Sequence, residues 1–98
     1  MSFRIEHRSR SAGSGSGAEY GIFYKDRLIA VYWIDHRGDG HGIRFLGRQK
    51  QFPFRPNKED YPLDGRPNDF IEGGGPKPLE LTAKAIAYLN AEKDRGTF

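Results

Sequence analysis

The sequence contains no cysteine, one methionine, one tryptophan and no long hydrophobic run. The absence of cysteine excludes disulfide bonds, thiolate zinc sites and cysteine nucleophiles. The longest apolar run covers residues 28–34, which is far too short to span a membrane as a helix. The first residues also lack the apolar stretch of a secretory signal, so we expect a cytoplasmic protein that does not associate with membranes.

A large excess of one charge is missing as well. The 98 residues carry 16 Lys and Arg against 13 Asp and Glu, a formal net charge of +3. This excess is smaller than that of a dedicated nucleic-acid-binding arm, and its sign excludes an acidic mimic of DNA. Residues 1–50 hold nine basic and five acidic side chains, net +4, whereas residues 51–98 hold seven and eight, net −1. The basic character therefore belongs to the N-terminal half.

A chain of this length has room for one hydrophobic core, so we expect residues 1–98 to form a single domain. Alternating apolar and polar residues predict a strand within residues 1–8. Residues 9–18 are rich in glycine and serine, which is typical of a flexible loop, either native or an engineered linker. We favour a native loop because engineered Gly/Ser linkers rarely contain arginine.

An antiparallel sheet is predicted over residues 19–48. Residues 20–24 and 28–35 are rich in β-branched and aromatic side chains, and the polar turn between them predicts a hairpin. Residues 42–48 predict a third strand. The strand at 28–35 is apolar on both faces, with Leu28 and Ala30 on one and Ile29 and Trp33 on the other. We therefore expect it to lie centrally, with a cover on each face.

The C-terminal half supplies candidates for both covers. All six prolines lie between positions 53 and 78, so residues 49–78 are predicted to form an ordered, irregular Pro-rich coil over one face, burying Trp33. Apolar spacing predicts a helix over residues 79–95 on the other face, with Thr82 as the cap of a later start. The expected fold is α+β: three or four antiparallel strands in β-β-β order and one C-terminal helix.

Histidines and carboxylates crowd together only in the loop that holds His36, Asp39 and His41. These residues are candidate ligands of a divalent metal, or a source of a general acid–base histidine. The alternative, which we favour, is a glycine-rich turn with histidine as a polar filler. The acidic residues between positions 59 and 72 follow no calcium-loop pattern and are expected to be solvated. We accordingly expect no metal and no cofactor.

A nuclease interpretation would use one of these histidines, or His7, for proton transfer, with Arg44 or Arg48 holding a phosphate. Nothing in the spacing pairs these groups. No nucleophile elbow, phosphate-binding loop or dinucleotide motif is present either. We therefore expect a protein that is not an enzyme, with a small basic nuclease as the lesser alternative.

Basic residues interleaved with aromatics are the remaining signal. They predict a partner-binding surface made of Arg4, Arg8, Arg37, Arg44, Arg48, Lys50 and Arg55. We expect an inhibitor or adaptor, of the kind that phages and mobile elements encode, which docks on a protein or nucleoprotein partner. The alternative is a sheet module that binds nucleic acid directly, with aromatics stacking on bases. An exposed strand edge would also allow a homodimer.

Overall fold

The structure is a computed structural model and describes residues 3–10, 18–35, 40–46 and 61–98. Its architecture is α+β, which confirms the predicted class. The elements are β1 (Phe3–Arg10), β2 (Ala18–Tyr24), β3 (Arg27–Ile34), β4 (His41–Phe45), β5 (Tyr61–Pro62), a 3-10 turn (Pro67–Asp69), β6 (Ile71–Gly74), β7 (Lys77–Leu81) and α1 (Ala83–Asp94).

Strands β1 to β5 form one antiparallel sheet in sequence order, while β6 and β7 pair separately as a hairpin. Strand β3 lies in the middle of the sheet, as its apolar character on both faces predicts. Strand β1 lies at one edge, and β7 packs near it. Residues 11–17 of the predicted Gly/Ser loop lie outside the described residues, and its flanks belong to β1 and β2.

A β-bulge in the first hairpin changes the predicted faces of β3. Ile22 pairs with Ala30 but Phe23 pairs with Leu28, so Ile29 is the extra residue. Leu28 consequently lies on the other face of the sheet from Ala30. There its Cδ1 packs against Gly21, 3.0 Å from the point where a Cβ on that glycine would lie. Ile29 joins the core and is 1% exposed. The alternation of the sequence did not reveal this extra residue.

Helix α1 covers the face of the sheet that carries Ala30 and Tyr32, hereafter the helix face. Phe45 pairs with Ala30 on this face and its ring lies 6.3 Å from that of Tyr88 on α1. The other side of the sheet, hereafter the opposite face, carries Val31 and Trp33. The core lies between the sheet and α1 and consists of Ile5, Ile22, Ile29, Ala30, Tyr32, Ile43, Phe70, Leu81, Ala85 and Leu89.

The helix begins at Ala83, four residues later than the predicted start at residue 79. Leu79 and Leu81 belong to β7 instead, because an i, i+2 apolar pair suits a strand as well as a helix. Thr82 is the N-cap and accepts a hydrogen bond from the Ala85 amide at 3.0 Å, as the later start predicts. Its hydroxyl also donates to the Asp69 carbonyl at 2.6 Å, joining α1 to the 3-10 turn.

The described part of the Pro-rich segment differs from the predicted coil in structure and in position. Residues 61–78 contain β5, the 3-10 turn, β6 and the start of β7, so short strands replace irregular coil. Phe70 from this segment stacks on Tyr32, with ring centroids 4.5 Å apart, on the same face as α1. This placement corrects the expectation that the whole segment covers the opposite face; residues 49–60 lie outside the described residues. Trp33 on that face is half-buried.

The turn between β2 and β3 has an unusual backbone. Lys25 and Asp26 have φ angles of 51° and 65°, in the left-handed region that favours glycine and asparagine. A two-residue hairpin loop with both residues in this region matches a type I′ turn, in which Asn-Gly is the preferred pair. The Lys25-Asp26 turn therefore stores backbone strain at the exposed tip of the hairpin.

We expect Lys25→Asn to raise the free energy of unfolding by roughly 0.5–1 kcal/mol, because asparagine tolerates the left-handed region. Urea unfolding followed by circular dichroism measures this change. Lys25→Ala is the matched control, since it removes the same charge without relieving the strain. Equal stability of the two variants would contradict the assignment of strain to this turn.

Candidate functional site

Two of the predicted partner-binding residues, Arg4 and Arg8, lie exposed on edge strand β1. Arg4 is held in place, because it donates to Glu6 and to Asp26, each at 2.7 Å, and its guanidinium lies 4.5 Å from the centre of the Phe23 ring. The bond to Glu6, followed by that to Asp26, raises the pKa of Arg4 above its ordinary value. Arg4 thus belongs to a charged surface in which its own charge is largely compensated.

Arg44 does not belong to an exposed surface, contrary to the prediction. It is 7% exposed and pairs with Val31 on the opposite face, in a strand that has neighbours on both sides. An arginine in the interior of a sheet is surrounded by adjacent side chains, whereas the same residue on an edge strand would extend into water. The remaining predicted residues, Arg37, Arg48, Lys50 and Arg55, lie outside the described residues.

The structure gathers a basic group that the sequence did not reveal. Lys25 and Lys93 both lie beside the ring of Tyr24, with their Nζ atoms 5.4 and 5.8 Å from its centre. Arg27 pairs with Tyr24 across the hairpin and is exposed. Together with Arg4 these cations surround the turn of the first hairpin. We call Arg4, Lys25, Arg27 and Lys93, with the rings of Phe23 and Tyr24, the hairpin end.

Aromatic packing fixes the ring at the centre of the hairpin end. Tyr24 lies 4.9 Å from the ring of Phe3 and 6.0 Å from that of Phe98, and Phe98 stacks on Phe45 at 5.7 Å. Tyr24 is only half-buried, so one part of it contacts the core and another part meets solvent. Rings of this kind supply rigid contact area at protein interfaces at a low cost in conformational entropy.

His41, a candidate ligand or acid–base group, is an interior residue of β4 that is 2% exposed. Its Nδ1 lies 2.7 Å from the Tyr32 hydroxyl, and its Nε2 lies 3.2 Å from the carbonyl oxygen of Asp64. A carbonyl oxygen only accepts hydrogen bonds, so the neutral ring carries its proton on Nε2 and accepts the Tyr32 O–H at Nδ1. Both ring nitrogens therefore serve to join β3, β4 and the segment after β5.

A cleft of about 310 Å3 lies above this histidine. Leu63, Phe70, Ala85 and Tyr88 form its apolar walls, and His41, Asp64, Asp69 and Lys84 are its polar lining residues. Asp69 also accepts a hydrogen bond from the Arg66 amide at 3.1 Å, which holds its carboxylate at the turn. This cleft combines an apolar interior with a few polar groups, the usual composition of a small-ligand pocket.

Within the described residues, neither the metal site nor the nuclease site that the sequence left open is assembled. No three His, Cys, Asp or Glu side chains come together as metal ligands within them, and His36 and Asp39 lie outside. His7 and His41 are separated by β2 and β3, and Arg44 lies on the opposite face from both. Neither of these two histidines is therefore paired with Arg44, while His36 and Arg48, which the nuclease alternative also names, lie outside the described residues.

Comparisons with protein-family models, curated proteins and solved structures gave no match to this chain. In the described part of the chain, α1 has 12 residues, and no helix has the length and apolar character needed to cross a membrane.

Burial raises the pKa of the Tyr32 phenol well above its ordinary value of 10.0, with a smaller contribution from Tyr20. Below about pH 10 the phenol is protonated in both the folded and unfolded chains, so its contribution to stability is complete. Above that pH the unfolded chain ionises first. We therefore expect the free energy of unfolding to fall as the pH rises past about 10.

Urea unfolding at a series of alkaline pH values measures this loss of stability. Tyr32→Phe is the comparison variant: it lacks the titrating group, so its stability should fall less steeply over the same range. The interpretation is wrong if both proteins lose stability at the same rate.

Proposed function

We propose that this protein acts by binding, without catalysing a reaction, and that the hairpin end docks on an acidic surface of a partner protein. The observation that carries the proposal is the pair of exposed cations, Lys25 in the strained turn and Arg27 directly after it. Among the described residues, neither Lys25 nor Arg27 forms an ion pair. A cation without an intramolecular acid is available to a carboxylate of a partner.

The backbone strain at Lys25 and Asp26 supports the same site. Left-handed conformations of residues other than glycine cost about 1–2 kcal/mol each and cluster at functional positions. The turn fixes Lys25 beside Tyr24 and places Asp26 within reach of Arg4. A glycine-containing turn would form the hairpin equally well but would present neither side chain.

The mixture of charges favours a protein partner over nucleic acid. A phosphate backbone is best bound by an uninterrupted row of cations, whereas the hairpin end also contains the acidic neighbours Glu6 and Asp26. Its aromatic rings are half-buried and packed on other rings or under Arg4, which limits base stacking. An aromatic centre surrounded by a polar rim is typical of protein interfaces.

The edge of β1 is a less suitable contact surface, for a second copy or for another protein. A bulge interrupts its register between His7 and Ser9, and its exposed side chains include Arg4 and Glu6. Bulges and charges on edge strands oppose pairing with a further strand. Docking through side chains at the hairpin end is therefore favoured over strand addition.

The proposal predicts that Lys25→Glu combined with Arg27→Glu abolishes partner binding while the fold is retained, because both side chains are exposed. The measurement is affinity purification from nuclease-treated lysate of the source cell, quantified by mass spectrometry. Arg66→Glu combined with Lys77→Glu is the matched control: it changes the net charge equally at exposed sites elsewhere. We expect the same proteins to be captured by the wild type and the control, and lost by the hairpin-end variant.

A gel-shift series with mixed-sequence DNA and RNA, from about 50 to about 300 mM salt, distinguishes direct binding of nucleic acid from docking on a protein partner. Phosphate contacts would give tight binding at low salt that is lost steeply as salt rises, with a slope near −0.9 per contact on duplex DNA. Such binding would overturn the proposal of a protein partner. Equal capture by the two charge-reversed variants would overturn the assignment of the hairpin end.

A further inference from the structure

The cleft above His41 is separate from the hairpin end, since it lies at the other end of α1. Lys84 is in the first turn of this 12-residue helix and Lys93 is in its last turn, so about 14 Å of helix separates them. A ligand in the cleft would therefore not contact the hairpin end.

Charges of opposite sign line the cleft without neutralising each other. Lys84 and Asp64 both line the cleft, and both are exposed. Among the described residues, neither of them forms an ion pair. Two opposite charges that line one cavity but remain apart are complementary to a ligand that carries both charges itself.

The rest of the lining defines the remainder of that ligand. Leu63, Phe70, Ala85 and Tyr88 offer aliphatic and aromatic surface, and Phe70 is 4% exposed and stacked on Tyr32. The cleft volume of about 310 Å3 is at the lower limit of the range for small-ligand pockets, about 300–1,000 Å3. His41 adds little charge-specific recognition, because its two ring nitrogens are bonded to Tyr32 and to the Asp64 carbonyl.

We propose that this cleft binds a small zwitterion, an α-amino acid with an apolar side chain. Its ammonium group lies toward the carboxylates of Asp64 and Asp69, and its carboxylate toward the ammonium of Lys84. Its side chain packs on Phe70 and Tyr88. A simple anion would meet the two carboxylates unfavourably and a simple cation would meet Lys84 unfavourably, which is why the ligand carries both charges.

Isothermal titration calorimetry of the full chain tests this site with L-phenylalanine and L-leucine as probes. We expect saturable binding with a Kd below about 1 mM for at least one of them. N-Acetyl-L-phenylalanine lacks the ammonium group and L-phenylalaninamide lacks the carboxylate, so each should bind at least about tenfold more weakly than L-phenylalanine if that is the amino acid bound. The corresponding leucine derivatives serve if L-leucine is bound.

Two variants connect the binding to the named residues. Lys84→Met should weaken binding of the free amino acid about tenfold and leave the weaker binding of the amide unchanged, because the amide has no carboxylate for Lys84 to contact. Asp64→Asn should likewise weaken binding of the free amino acid and leave the binding of the N-acetyl derivative unchanged, because that derivative has no ammonium group for Asp64 to contact. Lys77→Met, at an exposed position outside the cleft, should change nothing.

Three results would overturn the proposal: no saturable heat with either amino acid, equal affinity for the amino acid and its two singly charged derivatives, or unchanged affinity in Lys84→Met. Thermal unfolding of each variant shows that the fold is intact, which is expected because all three substituted residues are exposed. The calorimetry contains no partner protein, so its result tests the cleft and leaves the proposed binding at the hairpin end untouched.

Discussion

The buried phenol of Tyr32 is the feature on which the rest of the structure depends. Tyr32 lies in the central strand, is 0% exposed, stacks on Phe70 and donates to His41. Burying a hydroxyl without a hydrogen bond costs about 1–3 kcal/mol, so His41 must remain in place as its acceptor. His41 in turn is fixed by the Asp64 carbonyl. One side chain thus connects the sheet to the segment that leads into the helix.

This connection places the two proposed surfaces at opposite ends of the same elements. Strand β3 begins at the hairpin end and finishes beside His41, while α1 begins at the cleft and finishes beside Tyr24. The strained turn is therefore supported by the central strand, and the cleft is lined on one side by residues of the packed helix. Sites on regular elements hold their geometry more accurately than sites on loops alone.

Sequence patterns predicted the features of this fold that form within one short stretch of the chain. The hairpin, the central position of β3 and the cap at Thr82 follow from alternation, apolar character and residue type. The bulge at Ile29 did not follow, and the sequence did not decide between a helix start at residue 79 and one after Thr82, because apolar spacing around an extra residue or in Leu79–Leu81 fits more than one structure. The burial of Arg44 and the meeting of Lys93 with Tyr24 depend on which strands and helices are neighbours. No pattern within a single segment contains that information.

The most direct test of the structural role of Tyr32 is native-state hydrogen exchange. The Leu63 amide donates to the His41 carbonyl and the Thr82 amide to the Phe70 carbonyl, so both report on the segment joined to the sheet through Tyr32. If that connection makes sheet, segment and helix one cooperative unit, these two amides should exchange only by global unfolding, with the same free energy as the core amides of β3. Exchange of Leu63 and Thr82 at a much lower free energy than β3 would contradict it.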